Sequence, residues 1–170
     1  MPCLYHFPLC LGGERISLCL TMKTAHGTVI IVTENVSEYR ATIPKCVSKD
    51  DVVLEIGCAE GTTTSRLSEH CKEVIGIDKG KSLSKAEERY PWLRFEQIDG
   101  FDIASLLNLG KQFSKIYIDI SGSRDLADVL LMIRKHEIVF KPELIVVKSN
   151  KLMKVLRKCR IWQDYKEEEQ

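Results

Sequence analysis

From residue 51 onward, short apolar runs alternate with longer segments of helical spacing. The runs at 52–56, 73–77, 94–98, 115–120 and 144–148 are rich in Val and Ile, and several are apolar at consecutive positions. Strands buried on both faces of a parallel sheet carry that signature. Between the runs, 62–71 reads as the first helix, and 82–90 as a second that ends before Pro91. The stretch 126–140 places Leu126, Val129, Leu130, Ile133 and Val139 mostly three and four apart, an amphipathic helix. A last helix over 150–160 carries Leu152, Val155 and Leu156 on one side. The alternation predicts an α/β fold, a doubly wound and mostly parallel sheet with helices on both faces and right-handed crossovers. Upstream, 27–33 is a strong strand candidate and 39–43 a weaker one, together forming an N-terminal hairpin or an added edge strand.

Composition changes this picture little. The chain has 170 residues, 44% apolar and 29% charged, with a formal net charge of +1. One domain with a single core fits that length, and the expected division is a leader over 1–26, a domain over 27–164 and an acidic tail over 165–170. The near-zero charge gives no global pull toward nucleic acid or membrane, although a local basic face can act alone. Seven cysteines are scattered without a CxxC pair or zinc spacing, so reduced thiols in an intracellular, cytoplasmic protein are expected and no metal site is. No run of about 20 apolar residues suggests a membrane span. The apolar first 20 residues are interrupted by Gly12, Gly13, Glu14 and Arg15 and lack a basic start, which makes a poor secretory signal and leaves organelle targeting open.

The first strand of the core runs into a turn of small residues: Glu55-Ile56-Gly57-Cys58-Ala59-Glu60-Gly61-Thr62. Gly57 permits a turn closed to side chains with a Cβ. Gly57, Ala59 and Gly61 would leave room for a ligand against the backbone, with Cys58 a small packing residue among them. The following helix start offers free N–H groups to an anionic group. Glu55, just inside the strand, would attract a cationic ligand group or brace the loop. The second strand ends in Asp78, with Lys79 after it, about 20 residues beyond the loop, where ribose recognition calls for a carboxylate. The third continues into Asp99-Gly100-Phe101.

These residues, in this order, resemble the cofactor motifs of class I S-adenosylmethionine-dependent methyltransferases, whose first motif reads acidic-x-Gly-x-(Gly/Ala)-x-Gly. The resemblance covers residues 51 to about 148. It implies a Rossmann-like sheet of strand order 3-2-1-4-5, counted from the strand at 52–56, and S-adenosyl-L-methionine as cofactor. It implies that Asp78 accepts from the ribose hydroxyls, that Asp99 meets the adenine amino group, and that Phe101 covers the base. The Gly57–Gly61 interval does not fit the dinucleotide fingerprint G-x-G-x-x-G.

Ligands in such sheets sit beyond the carboxyl ends of the strands. There Asp119 closes the fourth strand and Lys148 the fifth, side by side in that order. An apolar strand finishing in Lys is not demanded by packing; a Lys beside an Asp can hold or deprotonate a hydroxyl that attacks a methyl group. The pair resembles the Asp and second Lys of fibrillarin- and FtsJ-like RNA 2′-O-methyltransferases. The upstream Lys and the last acid of those families have no match here, and a structural ion pair is the competing reading. Lys151, Lys154, Arg157 and Lys158 on the last helix, and Lys79, Lys81 and Lys85 after the second strand, are candidate RNA phosphate contacts or solvated faces. The usual sixth and seventh strands have no room after Lys148. That would leave the fifth strand an open edge, to be covered by the 27–43 segment, a second copy or a partner chain. The expectation is a methyltransferase with RNA favoured as acceptor. A small-molecule O- or N-methyltransferase and a catalytically silent cofactor- or partner-binding domain are the alternatives.

Overall fold

The computed structural model describes residues 22–23, 27–120, 122 and 124–160. The leader and the acidic tail lie mostly outside them, as do Cys3, Cys10 and Cys19. The described chain forms a seven-stranded sheet. Its strands are β1 (Met22–Lys23), β2 (Val29–Thr33), β3 (Val52–Ile56), β4 (Glu73–Ile77), β5 (Arg94–Glu96), β6 (Lys115–Ile118) and β7 (Leu144–Lys148). Their spatial order is β1-β2-β7-β6-β3-β4-β5, all parallel except β1 against β2. The five core strands therefore stand in the 3-2-1-4-5 order.

The expected open edge does not exist. β2 pairs in parallel with β7 over its whole length, Val29 to Leu144 through Thr33 to Lys148. This backbone ladder occupies the place where a second chain was an alternative, and a two-residue hairpin strand continues the sheet beyond it. The 39–43 segment is not a strand. It belongs to two short helices, α1 (Val36–Ala41) and α2 (Ile43–Cys46). Asn35 caps α1 by accepting from the Glu38 amide at 3.0 Å, and the Glu38 carboxylate reaches back to the Glu34 amide at 2.8 Å. That reciprocal box starts a helix, and Pro44 suits the first turn of the next.

The remaining helices are α3 (Thr62–Ser68), α4 (Leu83–Arg89), α5 (Ile103–Leu107), α6 (Leu126–Phe140) and α7 (Asn150–Leu156). Asp102, Asp125 and Ser149 cap α5, α6 and α7 through their side chains. α5 escapes the periodicity reading because it is a single turn and a half. Two apolar layers sandwich the sheet. Leu54, Ile56, Ile75, Ile77, Ile116, Ile118, Ile145 and Val147 face α5, α6 and α7. Alternate residues, Val53, Val74, Tyr117 and Val146, pack with Tyr39, Ile43 and Leu67 on the other face. Strands with both faces covered explain the near-continuous apolar runs.

Candidate cofactor and acceptor site

The loop after β3 is bound to the neighbouring strands by its own backbone. Gly57 and Cys58 amides both donate to the Ile77 carbonyl, at 2.9 and 3.1 Å, and Gly61 donates back to Cys58 at 2.8 Å. Gly57, Ala59 and Gly61 all have positive φ. A Cβ on Gly57 would stand 2.2 Å from the Asp119 carbonyl oxygen, and one on Gly61 2.8 Å from the Phe95 ring. The position that a Cβ would take at each of these glycines is thus filled by protein. Gly100 follows the same logic, since its Cβ would meet Ile56 at 2.5 Å and Met132 at 3.1 Å. The small residues let β3, β6 and the helices close together, and the loop shape follows from that closure.

Glu55 lies beneath this loop rather than in it. It is 1% exposed and accepts from the Thr64 hydroxyl at 2.5 Å, so it ties β3 to the first turn of α3. Burial is the main reason that its carboxyl is raised from 4.5 to about 7, with Thr64 opposing and the Asp119 charge adding to the rise. Cys58 is buried beside it, and desolvation pushes its thiol well above the usual range. That leaves it a neutral packing group.

One cleft opens over the carboxyl ends of β3, β4, β5 and β6. Gly57, Asp78, Lys79, Asp99, Gly100, Phe101 and Asp119 line it, with Ile56, Ile77, Ile98, Ile120, Arg124 and Met132. Seven of the residues singled out in the sequence thus meet in one place. Asp78 is fixed there: its carboxylate accepts from the Ala59 amide at 2.9 Å and from the Gly80 amide at 2.7 Å. Asp99 accepts from the Phe101 amide at 3.0 Å and faces two cations, Lys79 at 3.7 Å and Arg124 at 3.4 Å. Arg124 also lies over the Phe101 ring, 5.1 Å from its centroid. Nothing in the sequence pattern singled out Arg124, because it stands in a loop without a motif. Its nearest signal is the Asp125 helix cap beside it.

Lys148 does not line the cleft but reaches its margin. Its ammonium contacts the Asp119 carboxylate at 2.6 Å, and the two side chains are 22% and 21% exposed. The pair bridges the ends of β7 and β6, accessible to a ligand yet shielded from most water. From here α7 leaves directly. The helix stops at Leu156, short of the expected 160, and of the basic residues on and just after it Arg157 forms a two-pronged contact with Glu34 at 2.7 and 3.2 Å, and Lys151 donates to the Arg124 carbonyl. Lys154 and Lys158 are exposed. Lys85 pairs with Glu60. Among the described residues no cluster of His, Cys, Asp and Glu could hold a metal ion, and no helix is long and apolar enough to cross a membrane.

Neither a protein-family model nor a curated protein matches the sequence. Solved structures do. An rRNA methylase from Streptococcus thermophilus superposes with a TM-score of 0.53 at 14% identity, over 74% of this chain and 78% of its own. A dimethyladenosine transferase from Plasmodium falciparum gives 0.51 at 21% identity, over 68% of this chain and 42% of its own. DesVI from Streptomyces venezuelae gives 0.52 at 18% identity, over 66% and 48%. The chain spans less than half the length of the last two. At these identities the likeness establishes the fold alone, a Rossmann-like α/β fold shared with these solved proteins, and fold alone does not name a reaction.

Proposed function

We propose that this fold serves its usual cofactor, S-adenosyl-L-methionine, and that the chain is a methyltransferase with RNA as the favoured acceptor. The observation that carries the reading is the convergence of Asp78, Asp99 and Phe101 on one cleft that ends at the Asp119–Lys148 pair. The donor set suits an adenosyl group. Two carboxylates, fixed by backbone amides, offer acceptors to hydroxyl and amino donors, and Ile77, Ile98, Phe101 and Met132 form an apolar slot for a flat base.

When bound, the cofactor supplies an electrophilic methyl group on a sulfonium. The chain's own residues must then hold the acceptor and take its proton. Lys148, as an ammonium paired with Asp119, donates a hydrogen bond to an acceptor oxygen and orients its lone pair. The Asp119 carboxylate is the group beside it able to receive the proton. Lys79 and Arg124 both approach the Oδ2 oxygen of Asp99 and help to hold it in place. The exposed Lys154, on a helix that leaves the reacting end directly, and Lys158, two residues past its end, favour a polyanionic acceptor.

The test is methyl transfer to RNA and to small-molecule acceptors by the wild type and by Lys148→Ala. Loss of about 100-fold or more in rate, with cofactor affinity unchanged, is expected for a group that acts on the acceptor. An unchanged rate removes Lys148 from the chemistry. No transfer to any acceptor despite cofactor binding would instead favour the silent binding domain.

A further inference from the structure

A second surface opens on the opposite face of the sheet from α6. It is an open groove between α1–α2 and α3, lined by Val36, Ser37, Arg40, Pro44, Arg66 and His70, with Glu69 its one acid. Arg40 is aimed by a single bond, Nε donating to the Thr63 hydroxyl at 3.0 Å. Its two terminal nitrogens are left for another acceptor. Arg66 projects from α3 into solvent. Among the described residues neither guanidinium forms an ion pair, as is also true of Arg89 and Arg160, whereas Arg94, Arg124, Arg134 and Arg157 all do.

The groove also has a direction. β2 ends at Thr33, in register with Lys148, and the Ser149 amide donates to the Thr33 carbonyl at 2.8 Å. α1 begins three residues later and packs on β7. The first turn of α1, with Val36 and Ser37 on the groove, therefore stands beside the Asp119–Lys148 end of the sheet. From there the groove passes Arg40 and then Arg66 as both helices run back along the sheet. A chain whose reacting group sits at Lys148 would meet two unpaired guanidinium groups in succession.

We infer that the groove between α1–α2 and α3 binds the phosphodiester backbone of the acceptor RNA strand, with Arg40 and Arg66 each taking a phosphate. This rests on the reading of the chain as an RNA methyltransferase. Guanidinium groups suit the task, since their planar donor fork matches phosphate oxygens. Contacts from guanidinium groups to phosphates read backbone charge rather than sequence.

The experiment titrates the full chain into a fluorescein-labelled single-stranded oligouridine of 20 nucleotides, following polarisation over a range of KCl. Arg66→Glu, Arg40→Gln and the double variant are compared with Lys154→Glu on α7. Arg66 is exposed and Gln can keep the bond to Thr63, so these variants test binding rather than folding. S-adenosylmethionine titration of each confirms an intact fold. The slope of log K against log salt is expected to fall by about 0.7 for each arginine removed. Cofactor affinity is expected to be unchanged. RNA binding that survives both arginine changes but falls in Lys154→Glu would overturn the inference. So would competition by polyglutamate as strong as that by unlabelled RNA, which would assign the groove to an acidic protein partner. Cofactor binding without RNA binding would overturn it while leaving the cofactor reading intact. Absence of both would sink that reading too.

Discussion

Replacing Glu55 by Gln keeps the shape of a buried side chain and removes its charge. In the wild type, folding takes this carboxyl from 4.5 to about 7, chiefly by desolvation. The folded state therefore holds the proton more tightly than the unfolded chain does. Its stabilising contribution is complete below pH 4.5, declines as pH rises, and is gone above about 7. A rise from 4.5 to about 7, at 1.36 kcal/mol for each unit, amounts to about 3 kcal/mol. Gln pays no such cost at any pH, and its amide oxygen can still accept from Thr64. Urea unfolding of both proteins at pH 4.5, 5.5, 6.5 and 7.5 reads the difference directly. The variant should gain on the wild type by about 3 kcal/mol across that range, with most of the gain between pH 5 and 7. Two curves that run parallel over the whole range would mean that Glu55 ionises in the folded state as it does in the unfolded one, and that its burial costs nothing.

His136 offers the opposite sign. It is buried against Phe140 with Nδ1 on the Met132 carbonyl, and desolvation lowers it from 6.5 to about 4. Its stabilising contribution is present above 6.5 and is lost as pH falls through about 4. Imidazole resonances followed by NMR should place its midpoint near the lower value, and a midpoint near 6.5 would contradict the burial argument. Gly57→Ala forces a Cβ to within 2.2 Å of the Asp119 carbonyl oxygen at φ +83°. It should cost about 3 kcal/mol or more in urea unfolding, and a loss below 1 kcal/mol would show that the loop yields easily.

Much of the core was legible because both faces of its strands are covered. Consecutive Ile and Val residues then have no competing explanation, and the five runs emerged within two residues of their observed ends. The overruns have local causes. After Glu96 the Ile98 amide bonds back to the Glu96 carbonyl, and the chain turns toward the cleft. At 39–43 the alternation of Tyr39, Ala41 and Ile43 with Arg40 and Thr42 mimicked a strand. Two short helices bury Tyr39 and Ile43 just as well, and the Asn35–Glu38 box was the signal that tells them apart. The acids of the site were readable because carboxylates at strand ends have few packing reasons to be there. The glycines were readable as a turn but not for what fills the space beside them, since that depends on Asp119 and Phe95, distant in sequence. Arg40, Arg66 and Arg124 acquire meaning only from what pairs or fails to pair with them in three dimensions.

The central claim is that the cleft at the ends of β3 to β6 holds an adenosyl cofactor. Calorimetric titration of the wild type and Asp78→Ala with S-adenosylmethionine and S-adenosylhomocysteine tests it most directly. The wild type should show one site of micromolar affinity for both ligands, and the variant should lose it while its urea midpoint stays close to the wild type's. A folded wild-type protein that binds neither ligand, or a variant that binds both as well as the wild type does, would contradict it.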